Sequence, residues 1–325
     1  MRKADVLFYE VFKEEKEAIN YFLPKTINAQ ITSKTIQEEG AEAPGASLIS
    51  VRTQSIIPSQ WAASLKGVLT RSTGYEHLLK YRQEAGKNVE YGYLPSYCSR
   101  AVAEQAILIM LALWRKLTTQ QKQFESFSRD DITGTECYGK NVLIVGVGRI
   151  GREIARMAKG LGMNVKGVDI EQRENNVEYI SLEEGIAWAQ CVVSAVPLTH
   201  ETENMLDYSC LKNMPQGGIV VNVSRGEITP VAGLKKLLDE EHLNGIGLDV
   251  YQNEGVLGTA LRSGTKLEDE NFAIIASLKT NENVIFTPHN AFNTKESVER
   301  KAQQSVEAVV EFLKSQSFPD TVPDE

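Results

Sequence analysis

The sequence contains little histidine and little cysteine. The only four histidines are His77, His200, His242 and His289, so chemistry that depends on histidine has few possible positions. None of the four cysteines stands in a Cys-x-x-Cys pair; they are Cys98, Cys137, Cys191 and Cys210. This spread predicts neither a zinc site nor a disulfide scaffold, so we expect no metal.

An excess of positive charge and a long apolar run are also missing. Lys and Arg number 35 against 43 Asp and Glu, which gives a net charge of −8. We therefore expect neither nucleic acid nor membrane as a partner, since both attract basic surfaces. The most apolar stretch, 101–114, is interrupted by Glu104 and falls short of the roughly 20 residues of a membrane helix. The apolar run near the N-terminus is too short for a secretory signal, so the expected location is the cytoplasm.

Apolar runs and helical patterns alternate along the 325 residues, a length that suits two domains. In the block that begins at Lys140 the strands are almost continuously apolar, which is typical of a parallel sheet covered by helices on both faces. Two long helices are predicted, over 99–117 and 291–313, with a polar surface connection over 120–135. The sequence thus predicts an α/β fold.

A glycine motif, GVGRIG at 146–151, follows a predicted strand and opens a predicted helix. This context is typical of a dinucleotide site: Gly146 permits the turn, Gly148 lets the backbone approach a pyrophosphate, and Gly151 allows close helix packing. Asp169 ends the next strand, where a carboxylate binds the ribose 2′-hydroxyl and repels a 2′-phosphate. The motif therefore predicts NAD as the cofactor. A glycine-rich turn without a ligand is the alternative.

Polar residues follow three later predicted strands, and ligands in open α/β sheets bind at such strand ends. The strands are 219–223, 246–250 and 284–287, and the residues are Arg225, Asp249, Glu254 and His289. A guanidinium grips a carboxylate with two hydrogen bonds, and an imidazole beside a carboxylate transfers a proton. Singly, a salt-bridged Arg, a surface Glu and a structural His are ordinary alternatives. When Arg, Glu and His follow strands of one sheet that also carries a dinucleotide loop, they supply the groups that reduction of a 2-keto acid requires.

Seven segments between about residues 67 and 294 resemble the D-isomer-specific 2-hydroxyacid dehydrogenases, in that family's order. They are LTRSTGYEHL, YCSRAVAEQAILIMLALWRK, GKNVLIVGVGRIGREIA, VPLTHETENM, VNVSRGE, GLDVYQNE and FTPHNAFNT. The last two look most like the D-lactate dehydrogenase branch. The resemblance implies two Rossmann-like domains with parallel sheets. A discontinuous, flavodoxin-like substrate domain would comprise 1–100 and 293–325, and an NAD-binding domain would comprise 101–292.

The same resemblance implies roles for individual residues. Arg225 would bind the substrate carboxylate, and His289 would be the acid/base with Glu254 as its partner. The residues implied to bind the cofactor are Gly146, Gly148, Arg149, Ile150, Gly151, Asp169, Val196, Pro197, Thr202, Val223, Ser224 and Asp249. Those implied to contact the substrate are Ser72, Thr73, Gly74, Tyr97 and Phe292, and Arg52, at a predicted strand end, joins them. Core packing for Tyr97 and Phe292, and a surface ion pair for Arg52, are the alternatives.

The expected reaction is NADH-dependent reduction of a 2-keto acid to a D-2-hydroxy acid. The favoured substrate and product are pyruvate and D-lactate, or a close homologue of this pair. Dehydrogenases of branched-chain hydroxy acids, glycerate or phosphoglycerate are alternatives, as is a dinucleotide-sensing corepressor that binds rather than catalyses. The resemblance also implies a homodimer built on the cofactor domain. The polar stretch 255–283 is predicted to be a surface excursion, and the C-terminal tail 318–325 is predicted to fray.

Overall fold

A computed structural model describes residues 4–86, 88–265 and 268–323. The chain divides into two compact units. The first unit joins 1–98 with 293–325, and the second unit is continuous over 99–292. The first unit is therefore built from two separate segments of chain.

The first segment of the first unit alternates strands with helices. Its elements are β1 (Val6–Phe8), α1 (Lys13–Phe22), β2 (Ala29–Ile31), α2 (Ile36–Glu39), β3 (Leu48–Val51), a 3₁₀ turn (Ser59–Ala63), β4 (Gly67–Thr70), α3 (Glu76–Ala85) and β5 (Glu90–Gly92). All strand pairs are parallel, in the order β2-β1-β3-β4-β5. This is the flavodoxin-like order.

The second unit begins with α4 and continues to β12. Its elements are α4 (Ser99–Trp114), α5 (Leu117–Gln123), β6 (Asn141–Val145), α6 (Arg149–Gly160), β7 (Asn164–Val168), β8 (Glu178–Tyr179), α7 (Leu182–Trp188), β9 (Cys191–Ser194), α8 (Tyr208–Leu211), β10 (Gly218–Asn222), a 3₁₀ turn (Gly226–Ile228), α9 (Val231–Asp239), β11 (Leu243–Leu248), α10 (Glu254–Ser263), α11 (Glu270–Leu278) and β12 (Val284–Phe286).

The sheet of the second unit is parallel, in the order β12-β11-β10-β9-β6-β7-β8. Read from β8, this is the dinucleotide-binding order 3-2-1-4-5-6 with one further strand. Its strands are almost wholly buried, as their apolar runs predicted: every residue of β9 and β10 lies in the interior. The fold class predicted from the sequence, two parallel-sheet α/β domains covered by helices, is confirmed.

The chain ends in α12 (Lys295–Ser315), which belongs to the first unit. It begins where the Thr294 side chain accepts a hydrogen bond from the Ser297 backbone N–H, which satisfies one donor of the first turn. The expectation of a frayed tail is wrong for its described part, 318–323. Phe318 and Val322 are buried, and the Val322 N–H donates to the Tyr91 carbonyl at 2.8 Å.

Two other expectations fail in the second unit. The helix predicted over 99–117 ends at Trp114, because Lys116 takes a left-handed conformation (φ +50°). A second helix, α5, then starts at Leu117 and runs into the predicted connection. The stretch 255–283 is no mere surface excursion, since α10 and α11 bury Leu257, Ile275 and Leu278 in the core. Within the described residues, no helix has the length and apolar character needed to span a membrane.

Candidate active site

The glycine loop between β6 and α6 has the backbone geometry that its sequence predicts. Gly146 has φ +92°, a left-handed conformation that glycine adopts without strain. A Cβ on Gly151 would lie 1.9 Å from the Gly146 carbonyl oxygen, so only glycine lets α6 approach this closely. No atom lies within 4 Å of the Cβ position at Gly148, which leaves open space beside the start of the helix. The loop fits a dinucleotide pyrophosphate.

Asp169 lies beside this loop. Its Oδ2 accepts a hydrogen bond from the Val147 N–H at 2.6 Å, and its Oδ1 accepts one from the Glu171 N–H at 2.9 Å. A carboxylate fixed here fits a ribose hydroxyl and opposes a 2′-phosphate. Arg173, which could otherwise have favoured a phosphate, pairs with Glu171.

Other residues predicted to contact the cofactor cluster at the ends of β9 and β10. The Ser194 and Ser224 hydroxyls lie 2.7 Å apart, which links the two strand ends. Thr202 donates to the Pro197 carbonyl at 2.7 Å and holds the loop after β9. Val223 is buried, Val196 is half-buried, and at the start of α6 Arg149 is exposed while Ile150 is half-buried.

The three strands that carry the predicted catalytic residues are neighbours in the sheet, so their carboxyl ends share one edge. His289 Nδ1 and Glu254 Oε1 lie 2.7 Å apart, each about one-third exposed. Both positions use left-handed backbone, with φ +49° at His289 and +53° at Asn253, the residue before Glu254. The structure brings this predicted pair together, and left-handed backbone occurs at His289 and just before Glu254.

Asp249 holds the segment that carries His289. Its carboxylate accepts hydrogen bonds from the Thr287 hydroxyl and from the N–H groups of Asn290 (2.9 Å) and Ala291 (3.0 Å). Its carbonyl accepts the His289 N–H at 2.8 Å. Burial raises the pKa of Asp249, although these donors oppose the rise. This geometry makes Asp249 an anchor of the His289 loop, whereas the sequence had predicted it as a cofactor contact.

Tyr251 is a second residue that the sequence reasoning missed. Its hydroxyl lies 3.0 Å from the Leu248 carbonyl and 2.9 Å from the Thr287 carbonyl, so it ties the end of β11 to the end of β12. Burial raises its pKa. The available signal was its position inside GLDVYQNE, between two predicted site residues.

Arg225 follows β10, half-buried, and its Nη1 donates to the Ser224 carbonyl at 2.7 Å. The next residue must be glycine, because a Cβ on Gly226 would lie 2.0 Å from the Tyr251 carbonyl carbon. This close approach brings the chain after β10 against the chain that leads to Glu254. Arg225 is therefore on the same edge of the sheet as Glu254 and His289.

In the first unit, the predicted substrate residues follow β4. The Ser72 hydroxyl donates to the Gly74 carbonyl at 2.7 Å and the Thr73 hydroxyl to the Leu94 carbonyl at 3.2 Å, so the turn 72–74 is held by its own side chains. Tyr97 is 5% exposed, and burial raises the pKa of its hydroxyl. Phe292 is not in this unit: it is the half-buried last residue of the second unit.

A buried ion cluster lies beneath this turn. Glu15 Oε1 is 3.0 Å from Arg71 Nε and 2.9 Å from Lys301 Nζ, and all three side chains are fully buried. Burial alone would raise the pKa of Glu15, but Arg71, Lys301 and Arg52 outweigh it and lower the pKa to about 2. Burial lowers the pKa of Lys301 to about 7, although Glu15 opposes this.

The structure shows all four cysteines as free thiols. Over the described ranges, no three His, Cys, Asp or Glu side chains are grouped so that they could hold a metal ion.

Comparisons with known proteins bear on the whole chain. Residues 107–291 match the family model described as D-isomer specific 2-hydroxyacid dehydrogenase, NAD binding domain. The D-lactate dehydrogenase of Streptococcus agalactiae serotype V is 30% identical over 295 residues, 88% of each chain. That of Escherichia coli K12 is 29% identical over 263 residues, 79% of this chain and 78% of the relative.

A solved structure, D-lactate dehydrogenase from Aquifex aeolicus complexed with NAD and lactic acid, is also similar. It has a TM-score of 0.85 and 27% identity, over 98% of this chain and 99% of the other. The predicted family, D-lactate dehydrogenase branch and NAD cofactor are thus confirmed. The chain belongs to the D-isomer-specific 2-hydroxyacid dehydrogenase family and is an NAD-dependent dehydrogenase.

Proposed function

We propose that this enzyme reduces pyruvate, or a close homologue of pyruvate, to the D-2-hydroxy acid. His289, Glu254 and Arg225 are the proposed catalytic residues. The observation that carries the proposal is the 2.7 Å contact between His289 and Glu254, on the sheet edge that also bears Arg225. Three strand ends thereby supply a proton donor, a carboxylate that orients it and a guanidinium for the substrate.

Bound NADH supplies the hydride that goes to the keto carbon. Arg225 grips the substrate carboxylate and stabilises the oxygen as negative charge develops on it. His289 donates a proton to that oxygen through Nε2, because Glu254 occupies the Nδ1 side of the ring. In the reverse direction His289 takes the proton back.

In the first unit, the proposed substrate contacts are the backbone N–H groups of Ser72, Thr73 and Gly74, which suit a carboxylate, and the side chain of Tyr97. The support is local: side-chain hydrogen bonds hold the turn, and Tyr97 is fixed by two donors to its carbonyl, the Ser297 hydroxyl and Arg300 Nε. Phe292 is a proposed substrate contact of the second unit. The names of the relatives favour pyruvate as the first substrate to assay.

The test compares wild type with His289→Gln and Arg225→Lys, assayed by NADH absorbance. Gln cannot donate and recover a proton as His does, so kcat should fall by about 100-fold or more while the Kd for NADH stays within about twofold. Lys lacks the planar fork, so Arg225→Lys should raise KM for the keto acid and lower kcat. His200→Gln is the matched control, and unchanged kcat in His289→Gln would end the proposal.

The enzyme acts as a homodimer in the cytoplasm. Support for the dimer comes from apolar side chains on the surface of the second unit, among them Leu108 (56% exposed), Phe124 (74%) and Phe127 (70%). A patch of this kind favours association between protein chains.

Light scattering checks the oligomeric state: the dimer predicts twice 36.1 kDa. Phe124→Glu combined with Phe127→Glu should shift the mass towards one chain. Tyr21→Glu, at an equally exposed aromatic residue of the first unit, should not. A wild-type mass of one chain contradicts the dimer.

A further inference from the structure

Asn222 is a buried amide at the end of β10, a strand that is otherwise apolar. The strand reads Gly-Ile-Val-Val-Asn, and Asn222, at 0% exposed, is as deeply buried as Val220 and Val221 before it. A buried amide destabilises a fold unless its polar atoms find hydrogen-bond partners, whereas an apolar residue here would carry no such cost. The reason for Asn222 therefore lies in the chain that follows the strand.

The oxygen of the Asn222 amide holds the residue before Arg225. Oδ1 accepts hydrogen bonds from the Ser224 N–H at 2.9 Å and from the Ser224 hydroxyl at 2.8 Å. Because the Ser224 hydroxyl has only one proton, the 2.7 Å hydrogen bond between the hydroxyls of Ser194 and Ser224 is donated by Ser194. Ser194, at the end of β9, thus directs the Ser224 hydroxyl towards Asn222.

The nitrogen of the same amide holds Arg225 itself. Nδ2 donates to the Arg225 carbonyl at 2.7 Å and to the Thr229 hydroxyl at 2.7 Å. A backbone N–H needs the amide oxygen and a backbone carbonyl needs the amide nitrogen, so the contacts allow only one orientation of the amide. Both hydrogens and both oxygen lone pairs of Asn222 are then used.

The peptide group that joins Ser224 to Arg225 lies between these contacts. Asn222 binds the N–H before this peptide and the carbonyl after it, and the backbone at Arg225 is extended (φ −142°, ψ 144°). The Arg225 guanidinium in turn donates from Nη1 to the carbonyl of the same peptide at 2.7 Å. Asn222 therefore acts on the guanidinium through the backbone that carries it.

We propose that Asn222 is a positioning residue for the reduction of the keto acid, which holds Arg225 in the conformation that meets the substrate carboxylate. This inference rests on the proposed function, which assigns that carboxylate to Arg225. A forked pair of hydrogen bonds needs the plane of the guanidinium to match that of the carboxylate, so a change in the backbone beneath Arg225 weakens the contact. The residues of this network all belong to the second unit.

Asn222→Asp separates the two halves of the amide. It keeps an oxygen that accepts from Ser224, but it replaces the NH₂ group by a second oxygen, which repels the Arg225 carbonyl. KM for pyruvate should therefore rise about tenfold or more, and so should Kd for oxamate, a carboxylate-bearing mimic of pyruvate, measured with NADH bound. Kd for NADH alone, measured by fluorescence, should stay within about twofold, because the contacts of Ser224 are kept.

Asn141→Asp is the matched control, because Asn141 begins β6 of the same sheet, at the edge opposite to Arg225. Its Nδ2 donates to the Trp188 carbonyl at 3.1 Å, and its Oδ1 accepts from Asn164 at 3.1 Å. The control makes the same chemical change to an amide that also donates and accepts. It should lower the unfolding midpoint but leave KM and the Kd for oxamate within about twofold of wild type.

A double variant tests whether Asn222 acts through Arg225. When Arg225→Lys has already removed the forked contact, adding Asn222→Asp should raise KM by no more than about twofold. An equal rise in both backgrounds, or an unchanged KM in Asn222→Asp alone, would overturn the inference. If Arg225→Lys by itself leaves KM unchanged, the proposed function of Arg225 fails as well.

A milder variant decides if Asn222→Asp does not fold. Ser194→Ala removes only the hydroxyl that donates to Ser224, so it weakens the network without leaving a new charge. KM for pyruvate should rise about threefold, with Kd for NADH within about twofold. A folded Ser194→Ala enzyme with the KM of wild type would overturn the inference in that case.

Discussion

Replacing Asp249 by Asn tests how the His289 loop is held. The carboxylate accepts three hydrogen bonds, from the Thr287 hydroxyl and from the N–H groups of Asn290 and Ala291. Asn keeps one accepting oxygen and must turn its NH₂ group towards at least one donor. The variant therefore loses about one charge-assisted bond and leaves a buried N–H unsatisfied.

The loss amounts to about 2–3 kcal/mol, because Asp249 is only 1% exposed and water cannot replace the missing acceptor. Released from this anchor, His289 would leave its left-handed conformation (φ +49°) for a more favourable one. If all of this free energy is lost from the catalytically competent conformation of the His289 loop, kcat drops by about 30- to 150-fold.

The assay measures kcat with pyruvate, NADH affinity by fluorescence, and the unfolding midpoint. Asp239→Asn is the matched control, because Asp239 is an exposed carboxylate on α9 that pairs with Lys235. A kcat for Asp249→Asn within twofold of wild type, with an unchanged midpoint, would refute the reasoning.

Two further predictions concern the cofactor and the buried ions. Asp169→Asn removes the charge and keeps one of the two oxygens that accept from the Val147 and Glu171 N–H groups, so the NADPH-to-NADH ratio of kcat/KM should rise about tenfold or more. A wild type that prefers NADPH would contradict the assignment. The pKa of Glu15 is lowered from its ordinary 4.5 to about 2 by its buried cationic neighbours. The ionised Glu15 therefore stabilises the fold above pH 4.5, and up to about 3 kcal/mol of the free energy of unfolding is lost as the pH falls towards 2. Trp61 fluorescence should report a flatter acid dependence in Glu15→Gln, and Glu14→Gln, exposed on α1, should behave as wild type; equal pH dependence in all three would count against the cluster.

The sequence predicted best what short-range patterns determine. The glycine loop and the buried strands of the second sheet follow from runs of neighbouring residues, so β6 to β12 were largely anticipated. His289 and Glu254 were predicted as neighbours because both follow strands of one parallel sheet, whose carboxyl ends must meet at one edge.

Other features depend on contacts that a linear pattern does not carry. Helices α10 and α11 were missed because the charged residues at 262–270 and 279–282 made the whole stretch look polar, although α11 itself is mostly apolar. The buried cluster joins Glu15 to Lys301, near opposite ends of the chain, and only the fold brings them together. Asp249 was predicted as a cofactor contact, but the anchoring of the His289 loop appears only when Thr287, Asn290 and Ala291 are seen around it.

The handedness of the product tests the central claim most directly. Pyruvate is reduced with NADH, and the product is separated on a chiral column. The account predicts that wild type forms only the D-hydroxy acid and that His289→Gln forms almost none. An L or racemic product, or NADH oxidation that persists in His289→Gln, would contradict it.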